Sequence, residues 1–359
     1  MAESVLILTE DEELLDDLLR LCAAAGAQTE VLHGTPVDSE QWQRAPLVLA
    51  GDDWAARQQT GRPPDRRAGV LLVGRDPDDH SIWARGVALG AEQVLQLPGD
   101  EAWLADRIAD SAEDGGGPAL TLGVLGGRGG AGASTLACAL AVTAARDGQR
   151  TMLIDSDPLG GGLDVLLGAE RTPGLRWPAF ASSRGRLPAA ALEESLPRLR
   201  RLSLLSWDRG DAAGAVPLPR DAMRSVLAAA RRRGGAVVLD LPRTLGEASA
   251  EALAHVDLGL LVVPAELRAV AAARRVVESS GALLRDLRVV ARGPGSGALD
   301  GEAIGRLLGL PLAGELPDEP GLPAAADTGE PPGADPSGPL AEFCSALLHR
   351  ALPGRGVAA

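Results

Sequence analysis

The chain has 359 residues and a net charge of −14: enough length for two domains that each bury a core, and too acidic a balance for a molecule that coats nucleic acid. Hydrophobic residues make up 45% of it and aromatic ones 2%, with tyrosine and lysine both absent. A disordered chain is therefore excluded, and α/β layers packed with Ala, Leu and Val are favoured over an aromatic-rich β-sandwich.

The opening MAESVLILTEDEE turns acidic after a few apolar residues and has no basic stretch, so no secretory leader is expected. No apolar run approaches the roughly 20 residues that span a bilayer, which predicts a cytoplasmic chain, at most peripheral at the inner face of a membrane. From Ser4 to Ser111, Val/Leu-rich runs (Val5 to Leu8, Glu30 to Leu32, Leu47 to Leu49, Gly69 to Val73, Gln93 to Leu97) alternate with helical patterns, the signature of a parallel sheet. Glu12 to Ala25 puts Leu14, Leu15, Leu18, Leu19 and Cys22 on one helical face and ends near Gly26. The stretch EDGGGP at 113–118 reads as a linker, which divides the chain into 1–112, a 113–120 linker and 121–359.

A second α/β series follows, with strands expected at Thr121 to Leu125, Thr151 to Ile154, Ala236 to Leu239, Leu258 to Val263 and Leu287 to Val290. Helices are expected at Ser134 to Ala145, Asp221 to Arg232 and Ala269 to Leu284, and a last one at Leu340 to Leu352. The Pro/Gly/Asp-rich segment 311–339 is expected to be a surface excursion with little regular structure. Cys22, Cys138 and Cys344 lie far apart in apolar helical contexts and read as small buried hydrophobes of a reducing compartment.

The chemistry concentrates at Gly126 to Thr135, GGRGGAGAST. Gly127-x4-Gly132-Ala133-Ser134 fits Gly-x4-Gly-Lys-[Ser/Thr] except at the lysine, and it joins an apolar strand to a helix, so successive N–H groups can converge on phosphate oxygens. The alternative for the loop alone is a tight glycine turn without a ligand. Two strands then end in carboxylates, Asp155-Ser156-Asp157-Pro158 and Asp240-Leu241-Pro242; carboxylates at the ends of neighbouring parallel strands face a nucleotide and metal crevice, whereas each alone could be a turn or helix-capping aspartate.

These motifs resemble the deviant Walker A family of MinD, ParA and CpaE, KGGxGK[ST]T, with Arg128 at the signature lysine and Ala133 at the P-loop lysine. LIDSDP and VVLDLP resemble its second acidic motif and its Walker B, LLVVPAELRAVAAARR the following strand and helix, and GLPLAGELPDEPGLPAAADTGEPPG the late strand and the excursion after it, over roughly 121 to 352. DPLGGGLDVLLG, GLRWP and LSWDRG resemble the actinobacterial CpaE-like, septum site-determining (Ssd) branch. The resemblance implies a SIMIBI-type, mostly parallel-sheet domain that binds ATP or ADP with Mg²⁺ through Gly127, Gly129, Gly130, Ala131, Gly132, Ala133, Ser134, Thr135, Asp157 and Arg292. Ser134 and, through the outer sphere, Asp240 would face the metal, and Arg128 and Asp155 are the catalytic candidates. It also implies a nucleotide-dependent homodimer and cell-division or secretion-apparatus partners, with ParA-like DNA binding as an alternative. Ala133 removes the cation of the phosphate loop, and Ala291 replaces the adenine-reading asparagine that precedes Arg292, so binding is favoured over hydrolysis. A pseudo-ATPase adaptor working through protein contacts alone is the rival.

Residues 4–111 resemble a CheY-like receiver, but Gly51 holds the phospho-acceptor position, Thr9 and Glu10 stand where the acidic pair belongs, and Leu97-Pro98 replaces Lys-Pro. The reading is a pseudo-receiver, with phosphorylation at the displaced Asp52 as the alternative. His33, His80, His255 and His349 show no ligand spacing. Arg198, Arg200 and Arg201, like Arg231 to Arg233, read as solvated helix faces, and the last helix, with Phe343, Leu347, Leu348 and Leu352, reads as core-packing rather than membrane-binding.

Overall fold

A computed structural model describes residues 4–32, 37–58, 64–113, 119–181, 187–208, 218–232, 234–293, 299–316, 318–319 and 321–351. Linker residues 114–118, Arg233 and Leu352 lie outside the described residues. The chain falls into two compact units, Met1–Gly116 and Gly117–Ala359.

The first unit runs β1 (Val5–Leu8), α1 (Glu12–Ala24), β2 (Thr29–Leu32), α2 (Ser39–Arg44), β3 (Val48–Gly51), α3 (Asp52–Gln58), β4 (Val70–Gly74), α4 (Ile82–Leu89), β5 (Gln93–Gln96) and α5 (Glu101–Glu113). Its five strands are all parallel in the order β2-β1-β3-β4-β5. Alternation along β1 sends Val5 and Ile7 to a core shared with α1 and α5, and Leu6 and Leu8 to one shared with Trp42 and Trp54. Asp11 caps α1 by accepting from the Glu13 and Leu14 N–H groups, and left-handed Gly26 follows its end.

The second unit contains β6 (Leu120–Gly126), α6 (Ala133–Arg146), β7 (Thr151–Asp155), α7 (Leu163–Leu166), α8 (Trp177–Ala181), α9 (Ala189–Ser195), β8 (Arg198–Leu199), β9 (Leu202–Leu205), α10 (Arg220–Arg231) and β10 (Ala236–Leu241). It continues with α11 (Glu247–Ala254), β11 (Leu258–Pro264), α12 (Leu267–Ser280), β12 (Leu287–Arg292), α13 (Gly301–Leu308), β13 (Leu312–Leu316), α14 (Leu322–Asp327) and α15 (Pro339–Ala351). The sheet order is β13-β12-β11-β6-β10-β7-β9-β8, with only the β8–β9 pair antiparallel. Strand residues alternate between two cores: Leu125, Ile154, Leu239 and Leu261 pack toward α10 to α13, while Leu122, Val124, Leu153 and Val238 pack toward α6 and α15. The strands can be apolar on both faces because helices cover both.

Two expectations change. Segment 311–339 is not irregular: Leu312–Leu316 extends the sheet beside β12, α14 follows, and the Gly333 carbonyl accepts from Arg146 of α6 at 2.9 Å. The leucines of β9 form a strand beside β7 that the pattern did not signal, turning into β8 at Arg200, whose φ is +58°. The last helix does pack inward, burying Leu340, Ala341, Cys344, Leu347 and Leu348, and no helix among the described residues is long and apolar enough to cross a membrane. All three cysteines are buried free thiols, and burial pushes each of them up, Cys22 to about 11.

Gly235 starts β10 at φ +82°, where an added Cβ would overlap the Arg150 carbonyl, itself the acceptor for the Ala236 N–H. Gly235→Ala is expected to destabilise the second unit by more than about 2 kcal/mol, read as a lower urea midpoint; an unchanged midpoint would mean the turn relaxes freely.

Candidate functional site

Three parallel strands in spatial sequence, β6, β10 and β7, deliver the predicted motifs to one end of the sheet. β6 enters the glycine loop and α6 leaves it, opening after Gly132 (φ 97°, ψ 19°), a cap with no side-chain acceptor. Gly130 and Gly132 both hold positive φ, the left-handed backbone this turn needs. Gly127 is fixed by donating to the Val262 carbonyl at 2.8 Å, and a Cβ there would stand 2.8 Å from that of Ala273. The N–H groups of Gly129, Gly130, Gly132, Ala133, Ser134 and Thr135 meet no acceptor among the described residues. Ala131 is engaged, donating to the Arg128 carbonyl at 3.3 Å. Six open donors at a helix N-terminus form a positive cradle, which is what an anion of several oxygens requires.

The carboxylates stand at the ends of the strands beside the loop. Asp240 and Asp155 are direct partners in the register of β10 and β7, and both are buried. Burial pushes Asp155 up to about 7, reinforced by the neighbouring Asp240 charge, although N–H donors from Asp157 (3.1 Å) and Leu163 (3.2 Å) pull the other way. Asp240 is pushed up to about 6, again by burial, while a hydrogen bond from the Ser134 hydroxyl lowers it. Ser134 thus links the loop to the Asp240 carboxylate. Asp157 caps its own turn, accepting from the Leu159 N–H at 3.0 Å. No cation pairs with Asp155, Asp157 or Asp240 among the described residues, so a divalent ion suits this donor set better than the bare protein does.

The arginines are distributed otherwise than the motif suggests. Arg128 bonds Glu266, at the start of α12, at 2.9 Å, and its Nε is buried without a partner. Arg292 reaches from the end of β12 to the Gly130 and Ala131 carbonyls at 3.2 and 3.1 Å, so it braces the loop from its acceptor side. Behind β7, the Trp177 indole donates to the Asp155 carbonyl at 2.6 Å and packs at 6.0 Å from the Trp207 ring. Both tryptophans lie in the GLRWP and LSWDRG motifs without a part that spacing assigns them; two tryptophans in a chain so poor in aromatics are the available signal.

In the first unit the receiver site is filled from within. A Cβ on Gly51 would press into the Asp53 carboxylate and stand 2.7 Å from Thr9 Oγ1. Asp53 accepts from Thr9 Oγ1, the Glu10 N–H and Arg57 at 2.7 to 2.8 Å, and Arg57 also pairs with Glu10. Asp52 is held by both Nε and Nη2 of the buried Arg85, a charge-assisted fork of the strong kind.

Two outcomes are expected. The natural chain takes no phosphoryl group from acetyl phosphate with Mg²⁺, and Gly51→Asp both fails to take one and melts lower; a stoichiometric mass increase at Asp52 or at position 51 would contradict this account. Asp155 and Asp240 bind their protons more tightly folded than unfolded, so their stabilising contribution is complete below about pH 4 and lost as pH rises through about 6 to 7. Metal-free protein should therefore lose melting temperature across that window and Asp155→Asn should flatten the loss; an unchanged slope in the variant argues against the buried pair.

Over residues 8–119 the chain matches the family described as "Rv3660c-like, CheY-like N-terminal domain". It is 39% identical over 318 residues, 87% of this chain and 88% of the relative, to the uncharacterized protein Rv3660c of Mycobacterium tuberculosis (strain ATCC 25618 / H37Rv). Among solved structures, a ParA family ATPase from Chlorobium tepidum TLS superposes with a TM-score of 0.54 at 17% identity, over 64% of this chain and 99% of that one. The septum site-determining protein MinD complexed with Mg-ADP from Pyrococcus horikoshii OT3 gives 0.52 at 18% identity, over 67% and 99%. At these identities the likeness is one of fold. The chain belongs to the Rv3660c-like family, and it joins a CheY-like amino-terminal domain to a domain of the MinD/ParA P-loop ATPase fold.

Proposed function

We propose that the second unit binds ATP or ADP with Mg²⁺ on the 127–135 loop and that occupancy, rather than rapid turnover, is its output. The observation that carries this is the pairing of six open loop N–H groups with two buried, cation-free carboxylates across one crevice. Phosphate oxygens would be held by the donors of Gly129, Gly130 and Gly132 to Thr135, and Mg²⁺ would lie toward the Ser134 hydroxyl and Asp240, with Asp155 beside it. The ion supplies charge for the phosphates and carboxylates together. Hydrolysis is slow or lost, because deleting one charge contact to a transferring group typically costs about 10² to 10³ in rate, and Ala133 deletes one.

On this reading the chain is a cytoplasmic regulator of the CpaE-like, septum site-determining type. Nucleotide state biases formation of a homodimer and docking to cell-division or secretion-apparatus proteins, with membrane contact at most peripheral. The MinD likeness and the motifs after β7 support the assignment to spatial organisation. The adaptor reading draws its support from the first unit, whose receiver chemistry is closed by Thr9, Asp53 and Arg57.

Titration calorimetry separates the two. Mg-ATP and Mg-ADP are expected to bind, Gly132→Val and Asp240→Ala to weaken binding by about tenfold or more, and ADP release to be barely detectable in a turnover assay. Absence of heat at high protein concentration would remove the nucleotide switch and leave the adaptor.

A further inference from the structure

We propose that Arg243 makes the phosphate contact that Ala133 leaves open, so that the charge of the phosphate loop is supplied from the segment after β10 and not from the helix that follows the loop. The inference rests on the nucleotide reading above. Three arginines surround the loop, and two are committed: Arg128 to the Glu266 carboxylate and Arg292 to the Gly130 and Ala131 carbonyls. Arg243 is exposed, and it has no hydrogen bond or ion pair among the described residues. Its Nη2 lies 3.6 Å from the place a Cβ on Gly129 would take, so the guanidinium rests beside the bare backbone of the loop.

That placement is electrostatically one-sided. The N–H groups of Gly129 and Gly130 meet no acceptor among the described residues, and an unpaired N–H carries partial positive charge. A guanidinium beside them adds a full positive charge to an already positive cradle. An anion lying between the loop and Arg243 would satisfy both at once, and the planar fork of a guanidinium can grip two phosphate oxygens. The position in the chain also matters. Pro242 fixes φ of the residue just before Arg243, and Asp240, the carboxylate bonded by Ser134, is three residues away. One short segment therefore presents both a carboxylate to the metal and a cation to the phosphate. The ligand class this predicts is a nucleoside di- or triphosphate with a divalent ion; a monophosphate offers too few oxygens to span loop and guanidinium.

The test is calorimetry on the full chain, with AMP, Mg-ADP and Mg-ATP titrated into the natural protein, Arg243→Ala, Arg243→Gln and Arg243→Lys, each checked by its melting curve. The neutral variants should bind Mg-ADP and Mg-ATP about tenfold or more weakly, with AMP changed less than about twofold, and Arg243→Lys should recover part of the loss. Natural protein that binds Mg-ATP while both neutral variants match it within about twofold would overturn the role of Arg243 alone. Equal losses for AMP and Mg-ATP would overturn it as well, since the residue would then act on the fold of the site. Natural protein that binds none of the three would remove the nucleotide reading and this inference with it.

Discussion

Everything at the functional end of the second unit is arranged around two carboxylates that the sheet forces together. β10 and β7 are neighbouring parallel strands whose register sets Asp240 against Asp155, and both side chains are buried. Burial is the main reason both groups hold protons above the ordinary carboxylate range, with the Asp240 charge adding to the rise at Asp155 and the Asp157 charge to that at Asp240. Across the crevice the loop presents the opposite problem, donors without acceptors. One wall asks for a cation and the other for an anion. A ligand that carries a divalent ion on a chain of phosphates answers both, and few other small molecules do.

The loss of lysine from Ala133 is easier to understand in a chain whose every strong cation is arginine. A lysine at that helix start would be a compact charge on a flexible stem, whereas an arginine there would have to fold a wide planar group into the same turn. The structure instead brings guanidinium groups from other elements. Arg292 uses its donors on the Gly130 and Ala131 carbonyls, the second of which shares its peptide with the open Gly132 N–H, and so braces that part of the loop; Arg128 is tied to α12 through Glu266. On the proposed reading, preorganised donors are the part of a phosphate site that is kept when hydrolysis is slow.

The alternation of apolar runs made most strands of both units legible, because helices covering both faces demand nearly continuous Val and Leu. The loop and its two aspartates were legible too, since glycine and strand-end carboxylates carry their chemistry locally. What escaped had partners remote in sequence. LSLL of β9 is only four residues long and reads as a strand only once β7 lies beside it. LAGEL of β13, in a Pro/Gly-rich context, carries no strand pattern of its own and is readable as a late strand only through the family resemblance. The Arg292 bond to Gly130 spans 162 residues and the Trp177 bond to Asp155 spans 22, and neither follows from spacing. Gly51 was recognised as a lost acceptor, but not that Thr9 and Asp53 fill the space an acceptor side chain would need.

The two units resolve similar charge problems in opposite ways, and the contrast bears on what each is for. In the first, every carboxylate near the former acceptor position has an internal partner: Asp52 takes the Arg85 fork, and Asp53 takes Thr9, the Glu10 N–H and Arg57. Such a network needs nothing from solution, and its formation removes the vacancy a metal and phosphoryl group would occupy. In the second, Asp155 and Asp240 are more deeply buried and pair with no cation among the described residues, although the Arg243 guanidinium stands beside the same loop. Uncompensated buried charge destabilises a fold unless something binds to it. On the proposed reading, a unit that keeps such a pair open responds to a ligand, and a unit that has closed its own acts through its surface.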